Sequence, residues 1–137
     1  MRELKGIFYN KEKNEFVVYT FYDNEPTVYE KQIKNFDDKF YEYMFSINQK
    51  ENSVTFLYRV PHYITLILDI HLKQLGFKNY EFHGDYIIGA KRDTDLADEY
   101  SVCMNFNITF FDPAELAEFI LRYSSMITHV YQSEADE

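Results

Sequence analysis

The sequence has few of the residues that usually cross-link or interrupt a small fold. Its 137 residues include one cysteine, no tryptophan, four glycines and three prolines. The single Cys103 excludes an internal disulfide and a cysteine-rich zinc site. A chain of this length can build a core without such cross-links. We therefore expect one globular domain over residues 1–137, with residues 132–137 as a frayed polar tail.

The sequence also lacks a long apolar run. The most apolar stretch, residues 61–77, is too short to span a bilayer and contains Asp69. The first ten residues have no continuous apolar segment of the kind found in a signal peptide. These two features predict a cytoplasmic protein that has no contact with membranes.

Basic residues are scarce relative to acidic ones. Fourteen Lys and Arg against twenty-three Asp and Glu give a net charge of −9. Proteins that bind DNA or RNA without sequence preference need Lys and Arg on the phosphates, so we expect no direct nucleic-acid binding. A net negative charge instead favours solubility and a basic protein partner.

Aromatic residues are abundant, with thirteen Tyr and thirteen Phe. They are consistent with a surface that contacts another protein, because interfaces are enriched in aromatic side chains. The alternative is a codon bias that enriches Tyr, Phe, Lys, Asn and Ile together. Many of the aromatics fall at alternating, core-like positions, which favours the second interpretation.

Residues 61–77 predict a buried central helix. Pro61 suits the first turn and Gly76 suits the position just past the end. Apolar side chains surround the helical wheel except for a narrow polar stripe, on which Asp69 and Lys73 form a favourable i, i+4 pair. His71 falls on the apolar side, where we interpret it as a core histidine with a hydrogen-bond partner rather than a metal ligand.

The first part of the chain predicts strands and one helix. Three strands over residues 4–10, 16–22 and 27–33 form an antiparallel meander. Asn35 then caps a helix that has Asp37 and Asp38 in its first turn and an apolar spacing that continues to Ile47. A strand over residues 53–60 leads into the central helix.

The second part of the chain predicts a hairpin, a strand and a last helix. Gly84-Asp85 has the pattern of a type II′ turn between two strands, and residues 101–111 alternate cleanly as a strand. Asp112 and Pro113 begin a helix with Glu115 in a capping box, an apolar stripe that extends to Val130, and Glu115 and Arg122 on the solvent side. The order βββ-α-β-α-ββ-β-α predicts an α+β fold with a mainly antiparallel sheet and helices packed on one face.

One candidate site is an anion- or ligand-binding site at the start of the central helix. Tyr58 and Arg59 close a strand, and His62 and Tyr63 open the helix, whose N-terminus offers unpaired N–H groups. No glycine-rich loop accompanies these residues, so the site is neither a P-loop nor a Rossmann site. The alternative is an Arg paired with a surface acid and a His in a first helical turn.

The second candidate site is an acidic loop formed by Asp93, Asp95, Asp98 and Glu99. Its carboxylates are suited to a basic partner surface. Calcium or magnesium binding is less favoured, because the spacing does not match an EF-hand. The histidines show no metal-ligand pairing, and Cys103 has no base nearby in sequence, so we expect no metal, no cofactor and no catalytic residue.

The sequence leaves three functions open. The first is a non-catalytic acidic interaction protein that binds and modulates or inhibits a more basic macromolecule, as immunity proteins, phage-encoded inhibitors and nucleic-acid mimics do. The second is a small-molecule or anion-binding domain, or a modest enzyme, that uses Arg59 and His62. The third is a homodimerisation module that uses the polar face of the strand over residues 101–111.

Overall fold

The computed structural model describes residues 2–22, 28–87 and 102–131. The strands in these residues are β1 Arg2–Asn10, β2 Glu15–Tyr22, β3 Val28–Ile33, β4 Phe45–Asn48, β5 Ser53–Phe56, β6 Val60–Pro61, β7 Tyr80–Ile87, β8 Val102–Phe110 and β9 Ile127–Tyr131. The helices are α1 Phe36–Phe40, α2 His62–Gln74 and α3 Pro113–Arg122, and a 3₁₀ turn at Ser124–Met126 precedes β9.

The first three strands form a separate antiparallel sheet in the order β1-β2-β3. Its first turn is closed by Asn10, whose side chain accepts hydrogen bonds from the backbone of Glu12 and Lys13. Asn14 completes this turn with a φ of 52°, a conformation that Asn tolerates better than most residues. The meander predicted from the sequence is confirmed.

The second sheet is built around β8. β7 pairs along one edge of β8, while β5 and β6 pair with successive parts of the other edge. β4 lies beside β5, and β9 closes the sheet as a parallel neighbour of β4. Every pair except β4–β9 is antiparallel among the described strands, which confirms an α+β fold with a mainly antiparallel sheet.

Helix α2 supplies the centre of the hydrophobic core, as the sequence predicts. Ile64, Ile67, Leu68 and Leu72 are fully buried, and each contributes about 2 kcal/mol through apolar burial. Both sheets contribute to the same core. β2 contributes apolar side chains from the first sheet, and Phe119 of α3 packs against the second sheet. The order of elements brings the ends of all three helices towards one another.

Helix α1 is shorter than predicted. It ends at Phe40, and the predicted continuation to Ile47 is wrong, because Phe45–Asn48 is strand β4. Phe45 and Ile47 alternate with half-buried neighbours and pair with strands on both sides. The two-residue period of β4 covers only four residues. Phe40 and Ile47 also fit a helical spacing, and this spacing led to the wrong prediction.

The hairpin predicted at Gly84-Asp85 is also wrong. Residues 80–87 form the single strand β7, and its register with β8 shifts between His83 and Asp85. Gly84 has a φ of 156°, and a Cβ there would lie only 2.5 Å from the sulfur of Cys103. The glycine therefore marks a bulge where two strands approach closely, not a turn.

Helix α3 ends at Arg122, and its predicted extension to Val130 is wrong. The chain passes through Ser124–Met126 and then forms β9, which is held by nonlocal pairing with β4. The β-branched residues of β9 suit a strand better than a helix. The observed order is therefore βββ-α-βββ-α-ββ-α-β. In the described residues, the helices are all too short to cross a membrane as apolar spans.

Two pockets and a candidate polar site

The four residues of the predicted site at the start of α2 lie in different surroundings. β5 ends at Phe56, so Tyr58 and Arg59 lie in an exposed link before β6. The ring of His62 packs 4.6 Å from that of Tyr86, and burial lowers the pKa of His62. Tyr63 is only 2% exposed, and its hydroxyl accepts a hydrogen bond from Lys31 at 3.3 Å. An anion-binding role for Arg59 and His62 stays a prediction.

Tyr58 and Arg59 instead line an open pocket of about 220 Å³, which we call the Met44 pocket. Glu42, Met44 and the buried Phe56 also line it. The side chains of Met44 and Tyr58 are 47% and 74% exposed. Met, Tyr and Arg are the residue types that are enriched in protein–protein interfaces.

The predicted acidic loop, Asp93, Asp95, Asp98 and Glu99, lies outside the described residues. Its ends leave the second sheet at Ile87 and Val102, which are register partners, and Val102 also pairs with Pro61. The described residues carry fourteen acidic and twelve basic side chains. Residues 23–27, 88–101 and 132–137 therefore hold nine of the acidic and two of the basic side chains, which is seven of the nine excess negative charges.

A second pocket lies where the ends of the three helices meet, and it contains a polar cluster that the sequence did not predict. We call Asp37, His71, Arg122 and Tyr123 the Asp37 cluster. The cap formed by Asn35, whose side chain accepts from the N–H of Asp38, places Asp37 in the first turn of α1. His71 comes from the last turns of α2, and Arg122 and Tyr123 come from the end of α3.

The carboxylate of Asp37 is the centre of this cluster. Its Oδ2 accepts a hydrogen bond from Arg122 Nη2 at 2.8 Å, and its Oδ1 accepts one from the Tyr123 hydroxyl at 2.9 Å. His71 Nε2 lies 3.2 Å from the same Oδ1. Arg122 Nε also donates to the Tyr123 hydroxyl at 3.3 Å. Asp37 is 21% exposed, so these bonds act in a partly desolvated setting where they are stronger than on an open surface.

The surroundings set the protonation of the two neutral members of the cluster. Burial lowers the pKa of His71, and the charge of Arg122 acts in the same direction, while Asp37 opposes both. Since a carboxylate only accepts hydrogen bonds, neutral His71 must carry its proton on Nε2, which leaves Nδ1 as an acceptor. Burial and the charge of Asp37 raise the pKa of Tyr123, so its hydroxyl keeps its proton at neutral pH.

The space beside this cluster, which we call the Asp37 pocket, measures about 260 Å³. Its polar lining includes Lys34, Asn35, His71, Gln74 and Arg122, and its apolar lining consists of Phe16, Phe36 and Leu75. The ring of Phe36 lies 5.2 Å from that of His71, which helps to fix the imidazole. The pocket is therefore amphipathic and partly pre-organised.

A second carboxylate, Glu115, was expected in water and is in fact buried, at 8% exposure. One oxygen accepts the backbone N–H groups of Lys78 and Asn79, at 3.0 and 3.1 Å, and the other accepts the Asn79 side chain at 2.7 Å. Burial alone would raise the pKa of Glu115, but these hydrogen bonds outweigh it and lower the pKa. Glu115 thus ties the start of α3 to the loop after α2. Asp112 caps the helix as predicted, but the predicted role of Glu115 in a capping box is wrong.

No local pattern in the sequence predicted the Asp37 cluster. Asp37 and Arg122 are 85 residues apart, and His71 is 34 residues from Asp37. Each residue has an adequate local explanation: Asp37 interacts with the helix dipole, Arg122 is a solvent-facing cation, and His71 is a core histidine. Within residues 2–22, 28–87 and 102–131, no three His, Cys, Asp or Glu side chains are grouped as a metal site. Comparison of the chain with protein-family models, with curated proteins and with solved structures gives no match in any of the three.

Proposed function

We propose that this chain is a non-catalytic interaction protein that binds a more basic protein and modulates or inhibits it. The observation that carries the proposal is the Met44 pocket, where Met44 and Tyr58 are exposed beside an open cavity that Arg59 also lines. An exposed aromatic side chain beside a pocket is the usual form of an interface anchor. Phe8, Tyr41, Tyr86 and Phe111 are exposed as well, and Tyr58 at 74% is the most exposed aromatic side chain among those whose burial is described.

The net charge of −9 supports a basic partner. Most of the excess charge lies in three short segments, and one of them, residues 88–101, joins β7 to β8. Charges concentrated in this way accelerate association with an oppositely charged surface and contribute less to the lifetime of the complex. We therefore assign the anchoring contact to the Met44 pocket and the long-range attraction to the segment that contains Asp93, Asp95, Asp98 and Glu99.

The test is affinity capture from a nuclease-treated lysate of the source cells with three forms of the protein. Tyr58→Ala removes the anchor, and Phe111→Ala is its matched control, since Phe111 is another aromatic residue at 64% exposure that does not line the Met44 pocket. We expect one basic protein to be captured by the wild type and by Phe111→Ala, with capture reduced at least tenfold by Tyr58→Ala.

Binding kinetics on the captured partner then separate the two assigned roles. Replacing the four acids at 93, 95, 98 and 99 by their amides should slow association and weaken its salt dependence, while Tyr58→Ala should speed dissociation. The proposal would be contradicted if the binding kinetics of the captured protein were unaffected by both changes. It would also be contradicted if no stoichiometric partner were captured.

A further inference from the structure

The Asp37 pocket contains more hydrogen-bond donors than acceptors once its internal contacts are counted. The carboxylate of Asp37 already binds Arg122, Tyr123 and His71. The side-chain oxygen of Asn35 accepts from the backbone of the same helix turn, so its amide nitrogen remains available. The only acidic side chain among the described residues that line this pocket is therefore occupied, and what remains is mostly donors.

Two cations add to this excess of donors. Arg122 uses Nη2 and Nε within the cluster, so Nη1 has no hydrogen-bond partner among the described residues. Lys34 is exposed at the edge of the pocket, and no carboxylate of the described residues lies within ion-pairing distance of it. With Asp37 negative and His71 neutral, the lining carries a net charge of about +1 in a chain of net charge −9.

We propose that the Asp37 pocket binds a small oxyanion, a carboxylate or a phosphate, attached to a short apolar group. Lys34 and Arg122 provide the charge-assisted hydrogen bonds, and neutral amide groups from Asn35 and Gln74 complete the polar side. The apolar group lies against Phe16 and Leu75, which belong to the apolar lining. Asp37 does not repel the anion strongly, because its charge is compensated by Arg122 and its oxygens are bonded.

The size of the pocket limits the ligand. A volume of about 260 Å³ corresponds to roughly nine water molecules at ~30 Å³ each. This is enough for a metabolite with a few carbon atoms and too little for a nucleotide. The ligand is therefore a small acid or a small phosphate ester, not a cofactor of dinucleotide size.

The experiment is a titration of the ¹⁵N-labelled protein followed by NMR, with ionic strength held constant by sodium chloride. The probes are inorganic phosphate, acetate and butyrate. We expect saturable shifts confined to residues that line the Asp37 pocket, including the His71 and Arg122 side chains. Saturation by phosphate alone identifies a phosphate site, and tighter binding of butyrate than acetate identifies a carboxylate with an apolar body.

Lys34→Gln should weaken binding of the best probe about tenfold, as expected for the loss of one charge-assisted hydrogen bond. Lys73→Gln is the matched control, because Lys73 lies on α2 in an exposed pair with Asp69 and does not line the pocket. Shifts that fail to saturate with every probe overturn the proposal, and so does equal weakening by both variants. Because no protein partner is involved, this result is independent of the proposed interaction function.

Discussion

The two ends of helix α3 are each tied to the rest of the protein by a carboxylate, in different ways. At its start, Glu115 accepts three hydrogen bonds from Lys78 and Asn79, all from neutral N–H groups. At its end, Arg122 and Tyr123 bind the carboxylate of Asp37 together with His71. The hydrogen bonds of Glu115 are all made within the protein, whereas the cluster around Asp37 borders a pocket and has hydrogen-bond donors without a partner among the described residues.

This difference separates a structural polar group from a candidate binding group. A buried carboxylate satisfied by backbone amides has no further capacity and is explained by the need to pair buried polar atoms. In a charged cluster at the edge of a cavity, the cations keep hydrogen-bond donors that are available to a ligand. Variants at the two ends of α3 therefore test whether the two carboxylates really differ in this way.

The largest effect is expected for Asp37→Ala. It removes three hydrogen bonds and leaves Arg122 without its anion, and it should lower the free energy of unfolding by about 2–3 kcal/mol. The matched control is Asp38→Ala, which removes an exposed acid from the same helix turn and should cost less than about 1 kcal/mol. Urea unfolding measures both values, and equal losses would show that Asp37 acts only through the helix dipole.

At the other end of α3, Glu115→Ala should cost about 2 kcal/mol, because two partly buried backbone N–H groups lose their acceptor. Glu115→Gln keeps an oxygen for those two groups and should cost only about 1 kcal/mol, since the amide faces a donor of Asn79. Thermal or urea unfolding checks the order of the two variants. If Glu115→Gln lowered the free energy of unfolding as much as Glu115→Ala, the negative charge of Glu115, and not the position of its acceptor oxygens, would stabilise the start of α3.

Much of the fold could be predicted from local pattern, and the Asp37 cluster could not. Strands β1–β3 and helix α2 follow from alternation, turn residues and an apolar run, so their bounds were nearly correct. The errors at Phe45, Gly84 and Ile127 lie where pairing with a distant strand decides the structure. The Asp37 cluster could not be predicted for the same reason. It joins residues from three helices, and each of these residues has a local explanation of its own.

A finer test within the Asp37 cluster is Tyr123→Phe. The aromatic ring stays packed on Phe40 and Phe119, while the hydroxyl that donates to Asp37 and accepts from Arg122 is lost. We expect a loss of about 1 kcal/mol in the free energy of unfolding, with the anion titration still saturable. Tyr41→Phe is the control, since its hydroxyl makes one long, exposed contact of 3.4 Å and should change stability by less than about 0.5 kcal/mol.

The smallest effect is a dependence of stability on pH that distinguishes the two ends of α3. Burial lowers the pKa of His71 below the 6.5 of the unfolded chain, so both states are neutral above that pH. As the pH falls below 6.5, the unfolded chain takes up the proton first, and stability decreases. His62 acts in the same direction. Glu115 has a lowered pKa, so its contribution is present above pH 4.5 and is lost only below it.

Urea unfolding at several pH values separates these contributions. His71→Gln should reduce the slope of stability against pH between 6.5 and 5, and His62→Gln should do so independently, because the two histidines lie in different contacts. Glu115→Gln should leave that slope unchanged and flatten the curve below pH 4.5. An unchanged slope in His71→Gln would mean that His71 takes up its proton at the same pH in the folded and unfolded protein, so that the folded form is protonated below pH 6.5. Its Nδ1 would then be a donor, and the Asp37 pocket would carry one more positive charge towards a bound anion.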